Sequence, residues 1–207
     1  MALGAASALL AFTAAAALLT VTPGLDTALV LRSWLAGGRG AAVRAVGGIQ
    51  AGCFIWGCGV AVGIGAVLAA APLAYDLLRW GGASYLLWSG LALMLRPRGA
   101  LDLAPGAPGG GAFRRGLLTN LLNPKIGLFY LSFLPGFVPA GWPPAPTMVG
   151  LTLIHCGLAC LWFGLLLGAG TGLRAAITTR ASLVRAFDRV TGAVFVGFGL
   201  RLALERA

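Results

Sequence analysis

The chain has 207 residues, of which 59% are hydrophobic and only 10% are charged, and its mean hydropathy is +0.92. A soluble domain carries about 25% charged residues and cannot hide so much apolar side chain from water. The net charge of +10 does not indicate a nucleic-acid-binding protein, because the basic residues stand between long apolar stretches and form no stripe with aromatic residues. The composition therefore predicts an all-α integral membrane protein whose partner is the lipid bilayer.

Apolar stretches that can cross a bilayer occur six times along the chain. A transmembrane helix needs about 20 mostly apolar residues. The six predicted spans are 5–34, 42–70, 75–95, 114–137, 145–172 and 188–204. No positively charged segment precedes the first span, so it is predicted to be a retained helix and not a signal peptide.

The arginines predict the orientation of these spans. The first, third and fifth connections are rich in basic residues, whereas the N-terminus and the alternate connections are poor. The basic residues of the rich connections are Arg32, Arg39 and Arg44, then Arg96, Arg98, Arg114 and Arg115, then Arg174, Arg180, Arg185 and Arg189. Since basic loops stay in the cytoplasm, both termini are predicted to lie outside the bacterial inner membrane.

One low-complexity segment, 97–112, is rich in glycine and proline and divides the chain. This composition predicts a flexible cytoplasmic linker between a first repeat, 1–96, and a second repeat, 113–207. Each repeat holds three predicted spans, and an odd number sends the two repeats into the membrane in opposite directions. The pattern predicts two inverted three-helix repeats, an architecture of secondary transporters.

The first span is interrupted by Pro23 and Gly24, and Asp26 follows at once. Proline removes a backbone donor and clashes with the preceding turn, so the helix is expected to break here. A carboxylate at the bilayer centre costs roughly 2.5–3.5 kcal/mol on insertion scales. Asp26 is therefore a candidate for binding substrate and for carrying the coupling proton.

The fourth span is interrupted in the same way. It contains Asn120 and then Asn123, Pro124 and Lys125, and Lys125 is the only lysine of the chain. Pro124 stands in the second repeat where Pro23 stands in the first. Proline breaks at matching places of two repeats are the best sequence pointer to a transporter binding site.

Two facing helix breaks predict a site for a zwitterion. The free N–H groups at one side of a break attract a carboxylate, and the free carbonyls at the other side attract an ammonium group. Asp26 is expected to assist the carbonyl side, and Lys125 is expected to bind the substrate carboxylate or to pair with Asp26 between cycles. A purely structural ion pair between Asp26 and Lys125 is the simpler alternative.

These residues resemble the LysE/RhtB family of amino-acid exporters. The stretches that carry the resemblance are TPGLDTALVLRSWLAGGRGAAVRAVGGIQAG, WGGASYLLWSGLALML, FRRGLLTNLLNPKIGLFYLSFLPGFV and FDRVTGAVFVGFGLRLAL. The resemblance implies six helices in two inverted halves and proton-driven export of small amino acids or their relatives.

Two motifs depart from the family pattern. Leu25 replaces the second proline of Pro-Gly-Pro-Asp, although Pro23, Gly24 and Asp26 match. Gly136 stands where the family commonly has the glutamine of Leu-Pro-Gln-Phe, and the lost polar group bears on the choice of substrate.

Further polar residues lie in the predicted spans. Gln50 is a candidate substrate ligand, although a bridge between helices is the favoured interpretation of a polar membrane side chain. Two small-xxx-small patterns, at Gly48 and Gly52 and at Gly59 and Gly63, are interpreted as packing within the bundle, with a homodimer as the alternative.

The only histidine, His155, lies in the fifth span beside Cys156, and the other cysteines are Cys53, Cys58 and Cys160. Thiolate and imidazole suit soft metals, but this spacing matches no established ligand pattern. No metal site and no cofactor is predicted, and the absence of GxSxG, HExxH and paired carboxylates argues against an enzyme.

The sequence thus predicts a secondary active transporter that exports a small amino acid or related metabolite by proton antiport. The predicted substrate-binding residues are Pro23, Gly24, Asp26, Gln50, Asn120, Asn123, Pro124 and Lys125. A heavy-metal or other cation exporter on the same scaffold is the alternative. A structural membrane subunit is a further alternative, although it leaves Asp26 and Lys125 unexplained.

Overall fold

The computed structural model describes residues 4–70, 72–97, 111–168 and 180–204, and every regular element in these ranges is helical. The predicted linker, 97–112, and residues 169–172 of the fifth predicted span fall largely outside these ranges. The helices are α1 (Ala5–Val21), α2 (Leu25–Ala70), α3 (Pro72–Leu95), α4 (Ala112–Leu121), α5 (Pro124–Leu128), a π-helical turn (Phe129–Phe133), a 3-10 turn (Pro135–Phe137), α6 (Pro144–Gly168) and α7 (Ala181–Leu204).

The first helix break lies where proline and glycine predict it. Helix α1 ends at Val21, and α2 begins at Leu25. The range given for α2 holds two helical segments that meet at a kink. The kink is at Gly37 and Gly38, which have non-helical backbone angles, and it lies inside the connection that the sequence places at 35–41. Gly38 has a φ of 67°, a left-handed conformation that glycine adopts without the steric cost of a side chain.

The second break is more elaborate than the single kink that the sequence predicts for 114–137. Helix α4 ends at Leu121, and α5 begins at Pro124, where a missing N–H costs nothing. The Asn123 side chain caps α5 by accepting a hydrogen bond from the Lys125 backbone N–H at 3.1 Å. The chain then continues as a π-helical turn and a 3-10 turn, so the fourth predicted span consists of four short helical pieces.

Small residues bring two helix pairs into close contact. A Cβ atom at Gly48 of α2 would overlap the Phe113 backbone of α4, and one at Gly116 of α4 would overlap the Ala45 carbonyl of α2. Gly90 of α3 and Gly192 of α7 contact each other in the same way. Close backbone approach at small residues is how membrane helices associate. Gly48 therefore packs within the bundle, as the sequence predicts.

The outer surface of the bundle is apolar. Two helical segments, Leu25–Gly63 and Pro144–Gly168, are long and apolar enough to cross a bilayer, while α1 is a shorter apolar helix. Large hydrophobic side chains stand exposed around the fold, among them Leu10, Leu95, Leu118, Leu153, Leu161 and Leu204. A water-soluble monomer rarely exposes so much apolar surface, whereas lipid tails cover it at no cost.

Candidate substrate site at two helix breaks

The polar side chains of the two helix breaks meet inside the bundle. Asp26 lies in the first turn of α2, and its Oδ2 atom accepts a hydrogen bond from Asn120 Nδ2 at 3.0 Å. Asn123 Nδ2 donates to Asp26 Oδ1 at 3.5 Å. Asn120 is completely buried and Asn123 is 4% exposed. The second break thus supplies two amide donors to the one carboxylate of the first break.

Lys125 of the second break contacts the backbone of the first break. Its Nζ atom donates to the Leu19 carbonyl at 3.0 Å and to the Thr22 carbonyl at 3.2 Å. These carbonyls lie at the C-terminal end of α1. The last carbonyls of a helix have no partner within it, and this end carries the negative partial charge of the helix dipole. Lys125 also interacts electrostatically with Asp26. The lysine ammonium therefore occupies the place that the sequence assigns to a substrate ammonium group.

A small cavity of about 40 Å³ lies between the breaks. Its polar wall includes Asp26, Asn123 and Lys125, and Leu19, Ile49, Ile126 and Phe163 are on its apolar wall. Ligand pockets usually enclose about 300–1,000 Å³, whereas a few tens of Å³ hold a water molecule. This conformation is therefore closed around its polar centre.

The predicted site residues do not all reach this cavity. Gly24 joins Asp26, Asn123 and Lys125 on its wall, while Asn120 lies behind Asp26 and orients it. Pro23 and Pro124 belong to the backbone of the two breaks. Gln50 donates from Nε2 to the Cys156 carbonyl at 2.6 Å and to Cys160 Sγ at 2.8 Å. Gln50 therefore bridges α2 to α6, which is the interpretation that the sequence favours.

Two buried groups next to the site were given no predicted role in binding. The His155 side chain lines the cavity, and its Nδ1 atom lies 2.9 Å from the Tyr130 hydroxyl, which is completely buried in the π-helical turn. A buried tyrosine needs a partner for its hydroxyl group. That requirement is the only sequence signal for Tyr130, and it does not identify the partner.

Helix α7 also reaches the first break. The hydroxyl groups of Thr22 and Thr191 lie 2.6 Å apart, and both residues are buried. Asp188, one turn before Thr191, is completely buried as well. The sequence did not single out Asp188, because Arg185 and Arg189 on either side make the segment resemble a solvated connection.

One cysteine lies behind Asp26. Asn120 Nδ2 contacts Cys53 Sγ at 3.4 Å in addition to Asp26, and Cys53 is 2% exposed. Within the described ranges, no three side chains of histidine, cysteine, aspartate or glutamate converge as a metal site.

An apolar exterior and a polar centre at two broken helices define an integral membrane protein with a candidate binding site at its centre. A comparison with protein families identifies the family of the chain. A model of the LysE type translocator family matches residues 17–206, so the chain belongs to this family. It is therefore a membrane transporter of small molecules and not an enzyme.

The relatives cover nearly the whole chain. An uncharacterized membrane protein, YrhP, of Bacillus subtilis is 27% identical over 95% of this chain and 99% of its own length. A leucine efflux protein of Klebsiella pneumoniae is 28% identical over 94% and 93%. A homoserine/homoserine lactone efflux protein of Salmonella typhimurium is 28% identical over 91% and 92%. No solved structure matches the chain.

Proposed function

We propose that the protein exports a small amino acid or a related metabolite from the cytoplasm by proton antiport. The observation that carries this proposal is that each helix break supplies the partners of the other break's charged group. Asp26 accepts from Asn120, and Lys125 donates to the Leu19 and Thr22 carbonyls, so that one acid and one ammonium group line the same cavity. An α-amino acid carries the same two charges. The efflux proteins of leucine and homoserine among the relatives point to the same class of substrate.

Lys125 serves as the resident cation of the site when substrate is absent. On binding, the substrate ammonium group takes the Leu19 and Thr22 carbonyls, and the displaced Lys125 pairs with the substrate carboxylate. Pro23, Gly24 and Pro124 shape the two backbone breaks that make these groups available. Asn123 contacts the substrate from the cavity wall, while Asn120 and Gln50 hold Asp26 and helix α6 in place.

Asp26 carries the coupling proton. In the closed conformation its charge is offset by Lys125 and by the two asparagine amides. When a substrate draws Lys125 away, the substrate ammonium group pairs with the Asp26 carboxylate in its place. When the site returns without substrate, a proton occupies the carboxylate instead. Proton binding and substrate binding then compete at one residue, which is the basis of antiport.

The helix contacts support two inverted repeats, 1–96 and 113–207. If each helix of one repeat is replaced by its counterpart in the other, the contact of α2 with α4 corresponds to the contact of α6 with α1. The contact of α3 with α7 corresponds to itself. The contact of α1 with α7 corresponds to that of α3 with the fourth predicted span. Rocking of such repeats gives alternating access to a site at their interface.

The proposal places six crossings in the inner membrane with both termini outside, because the arginine-rich connections then face the cytoplasm. The homodimer alternative has its surface at Gly59 and Gly63, which face open space. Metal export is not proposed, because the described residues bring no three ligands together.

Transport by reconstituted vesicles tests the proposal. An imposed pH gradient is expected to drive one or more members of an amino-acid panel that includes leucine and homoserine. Asp26→Asn is expected to lose gradient-driven movement while inserting normally. Asp102→Asn, the same change in the predicted linker, is the matched control and is expected to transport normally. An active Asp26→Asn variant, or no amino-acid movement by inserted protein, would refute the proposal.

A further inference from the structure

The transport proposal gives no role to His155, although this side chain lines the cavity between the two helix breaks. His155 is 2% exposed, and its Nδ1 atom lies 2.9 Å from the hydroxyl oxygen of Tyr130, which is completely buried. The rings of Phe129 and Tyr130 pack against the imidazole, with centroids 5.3 and 5.6 Å away. The imidazole ring is therefore fixed in its orientation at the cavity wall.

The hydrogen bond with Tyr130 uses one ring nitrogen of His155 and leaves the other. Within the described part of the chain, Nε2 has no hydrogen-bond partner. The two nitrogens of an imidazole point away from each other, so Nε2 is directed away from Tyr130. When the Tyr130 hydroxyl donates to Nδ1, Nε2 is a donor, and in the other neutral tautomer it is an acceptor. A hydroxyl group can bind either form, because it both donates and accepts.

The other polar groups of this cavity already have partners or a role in the transport proposal. The hydroxyl groups of Thr20 and Thr22 donate to carbonyls within α1. Asp26 and Lys125 are the proposed partners of the charged groups that every α-amino acid carries. Much of the remaining wall is apolar, with the side chains of Ile49, Ile126, Ala159 and Phe163. His155 is therefore a polar group in the cavity that can distinguish one amino-acid side chain from another.

We infer that His155 Nε2 binds the side chain of the substrate, and that the site selects an amino acid whose side chain carries a hydroxyl group. This inference rests on the proposed function, in which Asp26 and Lys125 bind the ammonium and carboxylate groups. An aliphatic side chain in the same place leaves Nε2 buried without a partner, which is unfavourable. A site that hydrogen-bonds a hydroxyl group therefore rejects the analogue that lacks it.

The test compares two substrates of the same shape, homoserine and norvaline, in which a methyl group replaces the hydroxyl group. Initial rates are measured at equal, subsaturating concentrations in vesicles with an imposed pH gradient. The wild-type protein is expected to move homoserine at least about tenfold faster than norvaline, because only homoserine satisfies Nε2.

Two variants of His155 separate its two nitrogens. His155→Asn keeps an amide near the position of Nδ1 for Tyr130 but has no group at Nε2, and it is expected to move both substrates at similar rates. His155→Gln places its amide near the position of Nε2 and is expected to keep the preference for homoserine. Thr147→Val is the control on the same helix, because the Thr147 hydroxyl donates to the Pro143 carbonyl. It is expected to keep the full preference.

Four outcomes overturn this inference while leaving the transport proposal intact. They are equal rates for the two substrates in the wild-type protein, a preference that persists in His155→Asn, and a preference that is lost in His155→Gln or in Thr147→Val. The wild-type comparison needs no variant, so it decides even if a variant fails to fold. If inserted wild-type protein moves no amino acid at all, the transport proposal and this inference are both refuted.

Discussion

The two helix breaks differ in how their polar groups find hydrogen-bond partners. At the first break, the Thr22 backbone N–H and hydroxyl group both donate to the Leu18 carbonyl. The Leu19 and Thr22 carbonyls accept from Lys125, which belongs to the other half of the chain. At the second break, the Asn123 side chain caps its own helix and also donates to Asp26. The first half therefore presents acceptors and the second half presents donors.

This difference shows why neither half of the chain holds a site alone. The acceptors of the first break are carbonyls and one carboxylate, and the donors of the second break are two amides and one ammonium group. Buried groups of either kind are costly when they lack partners. The proposed transport site is therefore also a polar contact between the two halves, and variants that separate donors from acceptors test this comparison.

The largest effect is expected for Lys125→Ala. It leaves the Leu19 and Thr22 carbonyls without their donor and Asp26 without a neighbouring positive charge, and each buried acceptor left unsatisfied costs about 1–3 kcal/mol. We expect transport to fall to background and the melting temperature in detergent to drop strongly. Adding Asp26→Asn to Lys125→Ala removes both charges and is expected to restore much of the stability but none of the transport. A stable, active Lys125→Ala variant would show that the first break does not depend on the second.

A smaller effect is expected for Asn120→Ala. The change removes the donor to Asp26 Oδ2 and Cys53, and an unsatisfied buried acceptor costs about 1–3 kcal/mol. Transport is expected to fall about tenfold, the equivalent of about 1.4 kcal/mol, measured as initial rates in vesicles. Cys53→Ala removes only the sulfur acceptor and is expected to have the milder effect. Equal losses in both variants would contradict the role of Asn120 in orienting Asp26.

Two variants of Asn123 distinguish its role as the cap of α5 from its role as a donor to Asp26. Asn123→Ala removes both functions and is expected to cost about 1 kcal/mol through the lost helix cap alone. Asn123→Ser keeps an oxygen acceptor for the Lys125 N–H but loses the amide that donates to Asp26. We expect the serine variant to melt near the wild-type temperature and to transport more slowly. Full transport by Asn123→Ser would limit Asn123 to the role of a helix cap.

The smallest effect is expected for Thr22→Val. It removes the hydroxyl contact with Thr191, and hydrogen bonds between membrane helices average about 0.6 kcal/mol. Thr13→Val is the control, because the Thr13 hydroxyl bonds only within α1, to the Leu9 carbonyl. A slightly lower melting temperature is expected for Thr22→Val than for this control. If the two variants melt alike, helix α7 does not stabilise the first break through Thr191.

The helix breaks were predictable from sequence because proline has a local and general effect on helices. The π-helical and 3-10 turns after Pro124 were not, since no residue type specifies them strongly. The sequence made Asp26, Asn123 and Lys125 candidate site residues because charged and amide side chains are rare in an apolar span. The acceptors of the Lys125 ammonium group were not predictable, because they are backbone carbonyls of a helix that lies about 100 residues away in the chain.

Lys125 on the α1 carbonyls also has a consequence for alkali metals. Exposed carbonyls at a broken helix are the groups that coordinate sodium in other transporters. Here a tethered ammonium group already fills that position at 3.0 and 3.2 Å. We therefore expect Lys125 to keep Na⁺ and K⁺ from this position, and we expect transport to proceed at the same rate when choline replaces sodium. A lysine ammonium group at the α1 carbonyls would make a bound sodium ion unnecessary there.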